Sequence, residues 1–171
     1  MLTVSPATTA DIPALVHLVN QAYRGEPSRQ GWTTEADFLK GDLRTDENDL
    51  AKLLARPHAV VLKACDSAEA IAGCVFLEKR DGRLYLGMLS VPPEKQADGM
   101  RKQLLAAAEA HALNQSCSSI YMRVLSKRHE LISWYERHGY RLTGETMPYD
   151  APRQFGIPKE PLEFAIMEKV V

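Results

Sequence analysis

The sequence carries only three cysteines, Cys65, Cys74 and Cys117, and no two of them form a CxxC pair. An odd, scattered set of this kind provides neither a disulfide framework nor a zinc site. Each lies in or beside an apolar run, where a buried reduced thiol is the expected state. The five histidines, His17, His58, His111, His129 and His138, have no HxxxH or HExxH spacing, so no metal centre is expected. Excess charge is also missing. A formal net charge of -1 lacks the basic domain or stripe of a nucleic-acid binder, so any phosphate-bearing ligand must be held by local geometry. No apolar run approaches the length that spans a bilayer. The opening MLTVSPATTADIP has no basic region followed by an apolar stretch, and a reducing cytoplasm is the expected location. There is no internal repeat, no low-complexity segment and no shift in composition.

What remains is ordinary globular material. The 171 residues are 45% hydrophobic and 25% charged, enough to bury a core as one domain spanning 1–171. Leu2 to Ser5 suits a first strand. Ile12, Leu15, Val16, Val19, Ala22 and Tyr23 recur at helical spacing behind a Thr8–Asp11 start signal, which predicts an amphipathic helix. Arg24 to Gly31 reads as a loop. Thr34 with Asp37 three residues on reads as a capping box for a short helix ending near Gly41, and a further helix is predicted from about Asp46 to Ala55. The texture then turns to strands at 59–64, 70–79 and 83–91, with Asp81-Gly82 as a hairpin signal between the last two. A helix over 99–113, a strand over 119–124, a helix over 130–138 capped by Gly139, and strands from 140 and over 162–169 complete the order. This is an α/β (α+β) arrangement with helices packed on a sheet.

Two segments carry chemistry. In the first, LYLGMLSVPPEKQADGMRKQLL, a strand runs through Pro92-Pro93 and a polar loop to Gly99, where a helix begins. Free N–H groups at a helix start, with the helix dipole, form an anion site, and a glycine permits close approach of a ligand to the backbone. Gln96 adds a side-chain donor, and Arg101 and Lys102 add positive charge. The plainer alternative is an ordinary strand-to-helix connection that contains a glycine. In the second segment, a helix ends in Trp134-Tyr135-Glu136-Arg137-His138-Gly139-Tyr140. A phenol there suits donation of a proton to a departing thiolate, whereas the plainer alternative makes Trp134 and Tyr135 core aromatics.

Taken together, Gln96-Ala97-Asp98-Gly99 resembles the acetyl-CoA signature of the GNAT superfamily of N-acetyltransferases, usually written [Q/R]-x-x-G-x-[G/A]. The run from Trp134 to Tyr140 resembles that superfamily's second signature. The stretches Ala22 to Glu26 and Gly31 to Glu35 resemble a bacterial-type subgroup. Arg101 departs from the first signature, standing where glycine or alanine is expected, and Arg128 stands where many relatives have asparagine. Arg101 is expected either to project outward or to lend its guanidinium to a phosphate. The resemblance implies a central mixed sheet of about six to seven strands flanked by about four helices. It also implies direct acetyl transfer to a primary amine of a small molecule, with acetyl-CoA as co-substrate and no metal.

In that scheme the strand at 83–91 splays from the strand at 119–124. Backbone groups of Leu89, Ser90 and Val91 then bind the pantetheine arm. Amides of Gln96, Ala97, Asp98, Gly99, Met100, Arg101 and Lys102 hold the pyrophosphate, and Tyr135 is the general acid. Glu78 is the candidate base, with a solvated strand-end charge as its default reading. Glu26, Trp32, Glu35 and Tyr149 are the candidate substrate residues, since an aromatic group and carboxylates suit a cation; Glu35 equally serves a helix dipole. Two other readings stay open: a non-catalytic acyl-CoA-binding module, and an acetyltransferase of protein N-termini or lysines. The late strands of such a fold make a homodimer a candidate assembly.

Overall fold

The computed structural model describes residues 2–29, 31, 33–95 and 99–171. Among these, nine strands and five α-helices follow one another along the chain. Strand β1 (Thr3–Pro6) leads through a single 3-10 turn into helix α1 (Ile12–Tyr23) and the short α2 (Gly25–Ser28). Then come β2 (Leu39–Lys40), α3 (Glu47–Leu54), β3 (Ala59–Cys65), β4 (Ile71–Arg80) and β5 (Arg83–Ser90). The second half holds α4 (Met100–Asn114), β6 (Ser119–Leu125), α5 (His129–Glu136), β7 (Arg141–Pro148), β8 (Ile157–Pro158) and β9 (Glu163–Val170).

Seven strands form one sheet in the order β1-β3-β4-β5-β6-β9-β7, and β2 pairs with β8 in a separate ribbon. All pairs are antiparallel except β5 and β6, which run parallel. The mixed sheet with helices on its faces is the architecture expected from the sequence. No described helix is long and apolar enough to cross a membrane.

Period-two alternation divides the sheet into two faces. Leu77, Leu84, Leu86, Leu89, Met122 and Val124 pack with α4 and α5, through Leu104, Leu105, Ala108, Leu131 and Tyr135. Val61, Cys74, Phe76, Tyr85 and Met88 pack on the other face with α1 and α3, through Leu15, Val19, Ala22, Tyr23 and Leu50. Helix α1 follows its predicted stripe, and the predicted start signal is realised: the Thr8 amide donates to Asp11 Oδ2 at 2.8 Å. Asp46 caps α3, accepting from the Asp49 amide at 2.7 Å.

The segment 24–41 differs from expectation. Residues 25–28 form α2 inside the expected loop, and the helix expected from Thr34 to Gly41 is replaced by a turn and β2. Thr34 Oγ1 accepts from the Ala36 amide at 3.1 Å, the local side-chain turn that competes with helix capping. Asp37, expected to complete the capping box, pairs with Arg29 at 2.8 Å instead. Leu39 is buried and takes its place opposite Pro158.

Helix α4 lies close to β4 because Gly73 has no side chain. A Cβ there would meet Leu104 Cδ1 at 3.0 Å and the Ser90 carbonyl oxygen at 3.2 Å. Leu104 is fully buried in that contact. Leu104→Ala is therefore expected to destabilise the fold by about 2–5 kcal/mol, read as a lowered urea midpoint with an unchanged slope.

Candidate active site

Strands β5 and β6 are in register only at Leu84–Ile120 and Tyr85–Tyr121. Beyond these two pairs they part, although both continue for several residues. On the far side of β5 the register with β4 shifts between Cys74–Ser90 and Phe76–Gly87, so an extra residue of β5 bulges out. Met88, in that bulge, has φ 54°, a left-handed conformation uncommon for a side-chain-bearing residue. Ser90 Oγ donates to the Met88 carbonyl at 2.9 Å, which steadies the bulge.

The gap opens into a cavity of about 420 Å³. Leu86, Gly87, Met88 and Leu89 line it from β5, and Met122, Arg123, Val124 and Leu125 from β6. Tyr23 closes one side and donates its hydroxyl hydrogen to the Leu89 carbonyl oxygen. Tyr135 reaches the cavity from the last turn of α5. Its helix ends where Gly139 adopts φ 93° and the Tyr140 amide returns to the Tyr135 carbonyl at 3.1 Å. The ring stands edge-on to Trp134 and Tyr140, with centroids 5.2 and 5.7 Å away. Burial pushes the Tyr135 phenol above its ordinary value, while the Arg101 and Arg128 guanidiniums oppose that rise. The group is a phenol, able to donate a proton, at neutral pH.

A buried ion network forms the wall opposite. Arg24, at the end of α1, pairs with Glu35 and donates from Nη2 to the Phe155 carbonyl at 3.0 Å. Arg128 Nη1, at the start of α5, stands 3.6 Å from the other Glu35 oxygen. Burial alone would raise the Glu35 pKa, but Arg24, Arg128 and Arg44 outweigh it and hold the carboxyl below its ordinary 4.5. Glu35 is thus an anion that ties α1, the 33–38 turn, α5 and the 152–156 segment together. Among the described residues no group of His, Cys, Asp and Glu is arranged to hold a metal ion.

Residues 36–150 match the family model described as an acetyltransferase (GNAT) domain. The chain belongs to the GNAT acetyltransferases. It is accordingly an acyltransferase whose co-substrate is acetyl-CoA. Solved structures share the fold at low identity. The ribosomal-protein-S18-alanine N-acetyltransferase of Escherichia coli is 16% identical, with TM-score 0.74, covering 100% of this chain and 94% of that one. PaiA N-acetyltransferase of Thermoplasma acidophilum, in complex with coenzyme A, is 16% identical with TM-score 0.70, covering 100% and 99%. The ribosomal-protein-alanine N-acetyltransferase of Brucella melitensis is 18% identical with TM-score 0.72, covering 99% of each chain. No curated protein matches the sequence at a significant level.

The residues that the GNAT resemblance singled out fall in several places. Leu89 lies on the cavity wall, while the side chains of Ser90 and Val91 are fully buried beside it. Gly99 has φ 76° and caps the N-terminus of α4, with open space where a side chain would stand. Met100 is buried in the core and Lys102 is exposed. Arg101 does not project outward: it is 2% exposed, with its guanidinium 4.2 Å over the Trp134 ring and 5.8 Å over that of Tyr135. Gln96, Ala97, Asp98 and Trp32 lie outside the described residues.

Glu35 and Tyr149 line the cavity, and Glu35 faces the Arg24 and Arg128 guanidiniums there. Glu26 is exposed, paired with Arg29 at 3.2 Å, and away from the cavity wall. Glu78 is also off that wall, and its Oε1 is held by Arg56 at 2.9 Å and Arg80 at 2.6 Å. One carboxylate oxygen thus bridges the two arginines.

Sequence reasoning missed Tyr23, Arg24, Arg44, Tyr85 and Arg123 as site residues. They come from α1, the segment before α3, β5 and β6, and only folding brings them onto one wall. The Arg24–Glu35–Arg128 network supplies stability that is present above the ordinary carboxyl range and is lost as pH falls through the lowered Glu35 value. Thermal midpoints followed from pH 7 to pH 3 should therefore fall on the acid side. Glu35→Gln, which leaves two guanidiniums in a buried site, should cost roughly 3–5 kcal/mol at pH 7 and flatten that acid limb.

Proposed function

We propose that this protein transfers the acetyl group of acetyl-CoA directly to a primary amine of a small molecule, with Tyr135 as general acid. One observation carries the reading: Tyr135 stands on the wall of a cavity that opens where β5 and β6 part. Beyond Tyr85 and Tyr121 the facing backbone groups of the two strands lack each other as partners, and an extended thioester arm is of the kind that pairs with them. Leu89, Ser90 and Val91 offer backbone groups at that edge. The pyrophosphate falls to the N-terminus of α4, a helix of 15 residues, behind Gly99 and with the amides of Met100, Arg101 and Lys102. The expected participation of Gln96, Ala97 and Asp98 belongs to the same proposal.

The chemistry then runs in one displacement. The neutral amine attacks the thioester carbonyl, the new C–N bond forms, and the C–S bond breaks. The leaving sulfur takes the proton of the Tyr135 hydroxyl. The tyrosinate left behind faces the Arg101 and Arg128 guanidiniums, which favour its charged form until a proton returns. An alkylammonium has pKa ~10.4, so the amine must give up one proton to water before attack; the second, lost from nitrogen once the C–N bond has formed, restores the Tyr135 phenol. Burial of the phenol keeps Tyr135 protonated between turnovers.

A cavity of about 420 Å³ is of small-molecule size, within the range of roughly 300–1,000 Å³ for such sites. This supports a small acceptor over a protein chain, and the placement of Tyr135 supports an enzyme over a non-catalytic binding module. Tyr135→Phe is expected to lower kcat by roughly 10²–10⁴-fold while leaving the acetyl-CoA dissociation constant unchanged. Thiol release and calorimetric titration read the two quantities. Full turnover by the variant would remove Tyr135 from the acid role.

A further inference from the structure

The cavity is lined by six arginines, Arg24, Arg44, Arg56, Arg80, Arg123 and Arg128, against three carboxylates, Glu35, Asp49 and Asp150. This local excess of positive charge sits in a chain of net charge -1. Among the described residues, the carboxylates that pair with these arginines are fewer than the arginines. Arg24 and Arg128 share Glu35, and Arg56 and Arg80 share Glu78. Arg123 pairs with Asp150 at 3.3 Å. Asp49 accepts from the Thr45 hydroxyl at 2.6 Å. Arg44 has no ion pair among the described residues and rests with its guanidinium 5.8 Å over the Tyr23 ring. The Nε of Arg24, buried on the same wall, meets no hydrogen-bond acceptor.

Position in the fold separates this charge from the cofactor's phosphates. Helix α4, whose N-terminus is the proposed pyrophosphate site, packs on the sheet face carrying Leu84, Leu86 and Leu89. Tyr23, Phe76, Tyr85 and Met88 belong to the opposite face, under α1 and α3. Arg44 lies against Tyr23, and Arg80 lies 4.1 Å over the Tyr85 ring. Arg123 shares the strand parity of Tyr121, which packs on the α1 face, and not that of Met122 and Val124. Arg44, Arg80 and Arg123 therefore lie on the face opposite α4, the side that a cofactor held at the α4 N-terminus leaves for the acceptor.

We propose that the acceptor amine also carries an anionic oxygen group, a carboxylate or a phosphonate, that seats against Arg44 beside Arg24. Guanidiniums partly withdrawn from water bind such groups through charge-assisted hydrogen bonds, and a cleft of one sign concentrates ligands of the other. The same wall repels a polyamine. This inference rests on the proposed acetylation of a small molecule, and its test separates the two.

Acetyl transfer would be measured with α- and ω-amino acids and 2-aminoethylphosphonate, each against its amide or its parent amine. The acids should exceed their neutral partners in kcat/KM by roughly 10- to 100-fold, through KM. Arg44→Gln should close most of that gap and Arg44→Lys restore part of it. A phosphonate favoured over the carboxylates would name the anion. Preference for neutral or cationic amines, equal use of peptide amides, or a gap that survives Arg44→Gln would overturn the proposal. In parallel, the N-acetylated acids and their amides would be titrated into protein saturated with coenzyme A. Binding of the acids that Arg44→Gln abolishes, with no turnover of any amine, would uphold the anion site while refuting the catalytic reading. Binding of neither would refute the anion site itself.

Discussion

Two parallel strands that hydrogen-bond at their beginnings and then separate leave main-chain donors and acceptors facing a gap inside the protein. Such groups are costly to bury without partners, so the separation persists only where something else is arranged around it. In this chain the arrangement is a bulge in β5 at Met88, the Tyr23 hydroxyl on the Leu89 carbonyl, and a cavity that reaches both faces of the sheet. The two helical layers flank this gap. Helices α4 and α5 cover one face and bring Gly99 and Tyr135 to it, while α1 and α3 cover the other and bring Tyr23.

The second organising element is electrostatic. Glu35 sits between Arg24 and Arg128, and Arg24 continues to the Phe155 carbonyl, so four segments distant in sequence meet through one carboxylate. A buried ion network is poor evidence for net stability, because desolvation offsets much of the attraction. Its value here is positional. It holds the start of α5, and with it the Tyr135 helix, against the end of α1. Arg101 does related work from beneath, with its guanidinium stacked on Trp134 in the turn that carries Tyr135.

Much of the fold was legible because its signals are local. Alternation marks the long strands, Asp81-Gly82 marks the β4–β5 hairpin, and Gly139 marks the end of α5. The glycine at the start of α4 and the run from Trp134 to Tyr140 were likewise readable as motifs. The segment 24–41 was not, because Thr34 and Asp37 satisfy two rules at once. A capping box and a side-chain turn call for the same residues, and the burial of Leu39 and the pairing of Asp37 with Arg29 decide between them. The polar half of the cavity was illegible for a different reason. Sequence reasoning read Glu35 as a host for a cation and Glu78 as a base for the amine, whereas Glu35 meets Arg24 and Arg128, and Glu78 meets Arg56, from other elements of the chain. Spacing carries no record of such pairings.

The account stands on the claim that the thioester lies in the gap between β5 and β6 with its sulfur beside Tyr135. The most direct measurement is a crystal structure of the complex with coenzyme A. The account predicts the thiol sulfur between Leu89 and Leu125, within about 3.5 Å of the Tyr135 hydroxyl, and the pyrophosphate at the N-terminus of α4. A coenzyme bound along another face, or a gap between β5 and β6 closed by the protein's own side chains, would contradict it.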